Sequence, residues 1–289
     1  MLSINFFRTA ALFWKNPFIN PYQALWRHFL WQMRKVANRF PCDLRFPGFV
    51  VRIADRMVAN GPGALLNAMG LYDPNNMLFL IELFRRKLCF TFYDVGANIG
   101  VYSLIVASSQ AEATVCAFEP HPYTYSLLRE NIMLNRLDRQ IITFQSALGS
   151  KNGLIKFTDM PGSTVNKTVE DGYKQGKTIE VEIWQGDAIV HRTNIMPDVI
   201  KIDVEGLENE VLHGFIGTLL STKMVFVECQ DLPETSEMLC NQFGFSGPFR
   251  VDYRAKRLAK IAMPPWEDWL FIQPEFLPSL RSIGFTLFH

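Results

Sequence analysis

The chain has 289 residues, 48% of them hydrophobic and 20% charged, enough apolar material for one large domain with an extension. A net charge of +1 gives no sign of a nucleic-acid partner, and no uncharged apolar run approaches the roughly 18 residues that a membrane span needs. Cys42, Cys89, Cys116, Cys229 and Cys240 form no C-x-x-C pair, which points to free thiols in a reducing compartment; with AALFW cut off by Lys15 and Asn16 before it makes a signal peptide, a cytoplasmic protein is expected.

Residues 1–42 hold Arg8, Lys15, Arg27, Arg34, Lys35 and Arg39 and no acid. From Asn20, a helix-capping residue type, with Pro21 after it, apolar side chains recur at Tyr22, Leu25, Trp26, Phe29, Leu30, Met33, Val36, Ala37 and Phe40. The spacing predicts an amphipathic helix. Its stripe suits either packing against the rest of the chain or contact with a membrane surface, and both readings stay open. Residues 41–80, punctuated by Gly48, Gly61, Pro62, Gly63 and Pro74, read as short elements leading to a helix near 74–86. A helical N-terminal extension over 1–85 followed by one domain over 86–289 is the expected organisation.

Beyond residue 88 short apolar runs alternate with helical segments: 90-FTFYDV-95, 114-TVCAFE-119, 141-IITFQSA-147, 198-DVIKIDV-204, 224-MVFVEC-229 and 269-WLFIQ-273. Alternation of this kind predicts an α/β fold, a mostly parallel sheet with helices on both faces. Runs 154-LIKFT-158 and 179-IEVEIW-184 flank a polar stretch, so 151–186 reads as an inserted hairpin with a lid-like tip.

The first strand runs into 94-DVGANIG-100. Gly96 and Gly100 let backbone approach closely, and Asn98 tolerates left-handed geometry between them. A dinucleotide fingerprint would need glycines at 96, 98 and 101, and only the first is present, which argues against a nicotinamide oxidoreductase. A carboxylate at Asp94 would repel a pyrophosphate and attract a ligand with an ammonium and a sulfonium. S-adenosylmethionine is such a ligand, and Glu119 at the end of the second strand stands where an acid grips vicinal ribose hydroxyls.

These stretches, with 118-FEP-120, 131-NIMLN-135 and above all 200-IKIDVEGLENEVLHG-214, resemble the FkbM family of S-adenosylmethionine-dependent methyltransferases over roughly residues 90–275. The resemblance implies a class I methyltransferase fold, Rossmann-like, acting on hydroxyl groups of sugars or natural products. It places adenine near Ser146 and Ala147 and extends the cofactor-binding set to Pro120 and Asp203. Asp73, in 72-YDPNN-76, stands where a glutamate is more typical.

Transfer to an oxygen needs a positioned hydroxyl and a route for its proton. Asp203 and Glu205 after the fourth strand and Glu228 after the fifth would bring carboxylates to adjacent strand ends. A general base, a divalent-cation site and a purely structural cluster all remain open, and no metal is assigned. Lys201 is expected to ion-pair with a neighbouring carboxylate. His121, His191 and His213 read as structural, Asn131 and Asn135 as packing amides, and Trp184, Trp266, Trp269 and Tyr173 as packing or sugar-stacking aromatics. The expected function is O-methylation of a saccharide, glycan or glycosylated natural product, the acceptor lipid-linked if the N-terminal stripe meets a membrane. The alternative from another class is a cofactor-fold scaffold at the membrane surface.

Overall fold

The structure, a computed structural model, describes residues 41–46, 48–54, 73–159, 168–169, 176–204, 206–228, 231–260 and 268–288, together with Asn20, Tyr22, Gln23, Leu25, Trp26, Phe29, Leu30 and Met33. Strands β1 (Cys42–Phe46) and β2 (Phe49–Ile53) make an antiparallel hairpin. Helix α1 (Pro74–Arg85) starts on a proline whose missing N–H costs nothing at that position, and it buries Met77, Leu80, Ile81 and Phe84. The chain then alternates through β3 (Thr91–Val95), α2 (Val101–Ser109), β4 (Thr114–Phe118), α3 (Pro122–Asn135) and β5 (Ile141–Phe144). Next come β6 (Ala147–Leu148), β7 (Gly153–Thr158) and β8 (Thr178–Trp184), a separate three-stranded sheet whose β7–β8 pair is the anticipated hairpin.

The alternation resumes with α4 (Gly186–Thr193), β9 (Val199–Ile202), α5 (Glu208–His213), α6 (Ile216–Leu219), β10 (Met224–Val227) and α7 (Leu232–Ser236). It closes with β11 (Ser246–Asp252), β12 (Arg257–Ala259), β13 (Trp269–Ile272), α8 (Leu277–Ser282) and β14 (Thr286–Phe288). The main sheet has the order β14-β12-β11-β13-β10-β9-β3-β4-β5. Pairing is parallel from β10 through β9, β3 and β4 to β5, whereas β13 runs antiparallel to both β10 and β11. This is the class I methyltransferase arrangement, and the antiparallel addition on one side is the part the sequence pattern does not announce.

Strands β9 and β10 are buried along their whole length, which accounts for their unbroken apolar runs. Side chains alternate across the sheet. Phe92 and Phe226 join one core with α1, α2 and α3, while Tyr93, Ile200 and Val227 join another with α5 and α6. Asn131 and Asn135 are packing amides, as their spacing suggests. They bond the β2 backbone, accepting from Ala54 N–H and Arg52 N–H at 2.8 and 2.7 Å.

Chain order turns back on itself between β3 and β9, so a crevice opens beyond their C-terminal ends. One contact defines its floor. A Cβ added at Gly96 would lie 1.9 Å from the Asp203 carbonyl oxygen, and Gly96 has φ +82°. Gly96→Ala is therefore expected to cost more than about 3 kcal/mol or to abolish folding, since backbone must move as well as strain. Gly284→Ala, at φ +93° with nothing within 4 Å of the new Cβ, should cost only about 1 kcal/mol. Urea unfolding of the two variants checks the contrast.

Candidate active site

The turn after β3 is built as its residues suggest, with Gly96, Asn98 and Gly100 all at positive φ. What fills the space of the missing side chains is protein: the Asp203 backbone at Gly96 and Leu128 Cδ1, 2.4 Å from a Cβ at Gly100. Asp94 is buried and turned inward. Its Oδ2 accepts from the Ser103 amide at 3.0 Å and the Ser103 hydroxyl at 2.6 Å, so it stabilises the first turn of α2. Burial raises the Asp94 carboxyl, against the pull of Ser103 and Lys201.

Glu119 is also buried. Its carboxylate accepts from the Asn98 amide at 3.0 Å and from the His121 amide at 2.9 Å, which ties the turn after β3 to the end of β4. Burial pushes it up to about 7. Pro120 and His121 lead into α3, with His121 at the N-cap. His121 Nε2 lies 3.3 Å from Asp159, just past the loop end of β7. Its Nδ1 and the Ser146 hydroxyl are the buried side-chain polar atoms without a partner among the described residues. Orphaned polar atoms are costly, and a ligand with donors and acceptors would satisfy them. Ser146 leads into β6, which begins at Ala147. These groups fit the adenosine of S-adenosylmethionine: a carboxyl at one strand end and two unpaired polar atoms nearby.

The carboxylates gather around Lys201. Its ammonium lies 2.8 Å from Asp203 Oδ2, 3.6 Å from Asp268 Oδ2 and 4.8 Å from the centroid of the Tyr102 ring. Asp203 and Glu228 follow adjacent parallel strands, β9 and β10, and each carboxyl feels the other. Burial works to raise Asp203, but Lys201, by charge and hydrogen bond, outweighs it and holds Asp203 below the usual range. Burial and the Asp203 charge push Glu228 up to about 9, so Glu228 carries its proton at neutral pH. Burial also raises Asp268, to about 7. Asp203 keeps its side chain 42% exposed toward solvent, whereas Lys201 and Asp268 are almost fully covered.

Of the three carboxylates singled out in the sequence, Asp203 and Glu228 come together, and Glu205 lies outside the described residues, as do Tyr173 and Trp266. His213 ends α5, its Nδ1 2.7 Å from the Asn209 carbonyl, and His191 lies exposed on α4. Trp184 and Trp269 pack against the second core. Asp268, Tyr102 and Arg250 have no counterpart in the sequence analysis, where Asp73 stands only as a departure from the family pattern. The Tyr102 hydroxyl donates to Asp73, which also accepts from Asn76 Nδ2 at 2.9 Å. Arg250 on β11 feels the charge of Asp73. The signal for Asp268 is the acid immediately before the 269-WLFIQ-273 run: on an antiparallel strand the N-terminal end shares the crevice edge, and Val227 pairs with Trp269. Among the described residues no group of three or more His, Cys, Asp or Glu side chains is spaced to hold a metal ion.

Residues 94–246, from the end of β3 to the start of β11, match the methyltransferase FkbM domain. The chain belongs to the FkbM methyltransferase family. Among its curated relatives, the hexuronic acid methyltransferase AglP of Haloferax volcanii is 37% identical over 139 residues, 47% of this chain and 54% of the relative. The 31-O-demethyl-FK506 methyltransferase FkbM of Streptomyces tacrolimicus is 28% identical over 152 residues, 42% of this chain and 58% of the relative. The chain thus spans about half the length of the curated relatives it matches. A crystal structure of a methyltransferase FkbM from Methylobacillus flagellatus is 14% identical with a TM-score of 0.46, covering 64% of this chain and 43% of that one.

The FkbM-family crevice in this chain has a pH signature. Glu228 binds its proton more tightly folded than unfolded, so its contribution to stability is complete below about pH 4.5 and is lost as pH rises toward about 9. Glu228→Gln has no proton to lose. The thermal midpoint of the variant relative to the native protein is therefore expected to climb steadily across that window, as measured by circular dichroism. A flat difference would mean that the Glu228 proton is not held.

Proposed function

We propose that this protein is an S-adenosylmethionine-dependent O-methyltransferase whose acceptor is a hydroxyl of a saccharide, a glycan or a glycosylated natural product. The observation that carries the reading is the placement of Asp203 and Glu228 just past the ends of the adjacent strands β9 and β10, with Lys201 2.8 Å from Asp203. A hydroxyl that becomes an ether oxygen must lose a proton, whereas a carboxylate acceptor is already a nucleophile and has none to lose. Asp203, ionised beside Lys201 and partly exposed, takes that proton. Glu228 keeps its own.

S-adenosylmethionine, when bound, supplies an electrophilic methyl group. Glu119 holds the ribose hydroxyls, and the unpaired Ser146 hydroxyl and His121 Nδ1 meet the adenosine. Gly96, Asn98 and Gly100 shape the turn beneath it, and Asp94 acts by fixing α2 against that turn. The sugar part of the reading is supported by AglP, whose name gives a hexuronic acid as its substrate. A hexuronic acid offers hydroxyls as well as a carboxylate, and of the two it is a hydroxyl that needs a group to take its proton.

Calorimetry should detect binding of S-adenosylmethionine and S-adenosylhomocysteine and none of NADH, and Glu119→Ala should weaken that binding by about 1.5 kcal/mol, roughly tenfold. With a panel of glycans, mass spectrometry should find an added methyl group. Asp203→Asn should then lower turnover by about 10² to 10⁴ while leaving cofactor affinity within about threefold. Turnover that survives this change removes the base. Activity abolished by EDTA and restored by magnesium assigns the carboxylates to a cation instead.

A further inference from the structure

The helix that follows Asn20 faces outward. Asn20 Oδ1 accepts from the Tyr22 amide at 2.9 Å and the Gln23 amide at 3.4 Å, an N-cap that starts the helix where the sequence places it. Tyr22, Trp26, Phe29, Leu30 and Met33 share one side, by the three- and four-residue spacing that stacks side chains along a helix. Their relative exposures are 73%, 61%, 51%, 38% and 51%. The Trp26 and Phe29 rings stack at 5.7 Å, and none of the five belongs to either core. A stripe with this spacing normally packs inside a globular chain, whereas these five side chains are exposed; Val36, Ala37 and Phe40 of the same stripe lie outside the described residues.

We propose that this helix lies in the interface of an anionic lipid bilayer, with its aromatic stripe toward the acyl chains. The partner follows from the charge. Residues 1–42 carry +6, from Arg8, Lys15, Arg27, Arg34, Lys35 and Arg39 with no acid, against +1 for the whole chain. They also hold Phe6, Phe7, Phe13, Trp14, Phe18, Tyr22, Trp26, Phe29, Trp31 and Phe40, out of 24 Phe, 6 Trp and 8 Tyr in the chain. Cations of one sign are drawn to phosphate headgroups, and tryptophan and tyrosine rings settle where headgroups meet hydrocarbon. A helix as long as the sequence from Asn20 to Met33 rises about 20 Å, enough to lie in the plane and too little to cross roughly 30 Å of hydrocarbon. No described helix is long and apolar enough to cross a membrane. The proposal is independent of the reaction the crevice performs.

Vesicle sedimentation of the full-length protein tests it, using phosphatidylcholine alone and an equimolar mixture with phosphatidylglycerol. At low salt the protein should bind the anionic vesicles at least tenfold more tightly than the neutral ones, and high salt should remove the difference. The triple substitution Trp26→Ser, Phe29→Ser and Met33→Ser should lower binding at least tenfold with an unchanged thermal midpoint. No binding to anionic vesicles at low salt overturns the proposal, as does undiminished binding of the triple variant. A lowered midpoint in that variant would make the stripe part of the core. Light scattering that finds a dimer in the native protein and a monomer in the variant would assign the face to a second copy of the chain, which likewise overturns the lipid reading.

Discussion

The close approach of Gly96 to the Asp203 backbone is the constraint on which the crevice depends. It brings the turn after the first parallel strand against the end of the strand that carries the catalytic candidate. Asp203 N–H in turn donates to the Val95 carbonyl at 3.0 Å, and Glu228 N–H to the Ile202 carbonyl at 3.1 Å, so the ladder continues past the regular strands and fixes three chain segments relative to one another. A side chain at position 96 would separate the cofactor turn from the carboxyl pair. The glycine therefore acts on both halves of the site through one backbone contact.

Charge in the crevice is arranged around a single ammonium. Lys201 sits in the middle of a strand with no exposed face, where an unpaired charge would be prohibitively costly. Asp203 and Asp268 compensate it, and the Tyr102 ring covers it. More carboxyls than cations surround that point, so some must keep their protons: Glu228 and Asp268 are raised while Asp203 is lowered. Environments that separate the proton affinities of neighbouring acids are what acid–base chemistry at neutral pH needs. The ion pair with Lys201 and the lowered proton affinity of Asp203 are the same interaction seen from its two ends.

The cofactor side is joined to the inserted hairpin by a short chain of contacts. Glu119 holds the amides of Asn98 and His121, and the His121 ring reaches Asp159 just past the loop end of β7. Displacement of any one of these groups would be felt by the others, because buried polar groups in such a chain have no water to turn to. The hairpin is thus attached to the cofactor turn through Asp159.

Local chemistry sufficed for much of this. The left-handed Asn98, the N-cap at Asn20, the helix at Pro74 and the pairing of Lys201 with a carboxylate were all legible, because each depends on residue type and near neighbours. Asp268 was not, nor Asp73 with Tyr102. Acids at the C-terminal ends of parallel strands can be collected from a sequence, but an antiparallel strand presents its N-terminal end to the same edge, and the direction of β13 is set by long-range pairing with β10. The glycines of the turn were recognised correctly and explained incompletely: their freedom is a property of the residue, whereas the Asp203 carbonyl and Leu128 that occupy the vacated space come from distant parts of the chain. Periodicity likewise determined that Tyr22 to Met33 form one stripe; that it faces outward was decided only by the tertiary structure, since a helix carries its spacing within itself but not the surface it will meet.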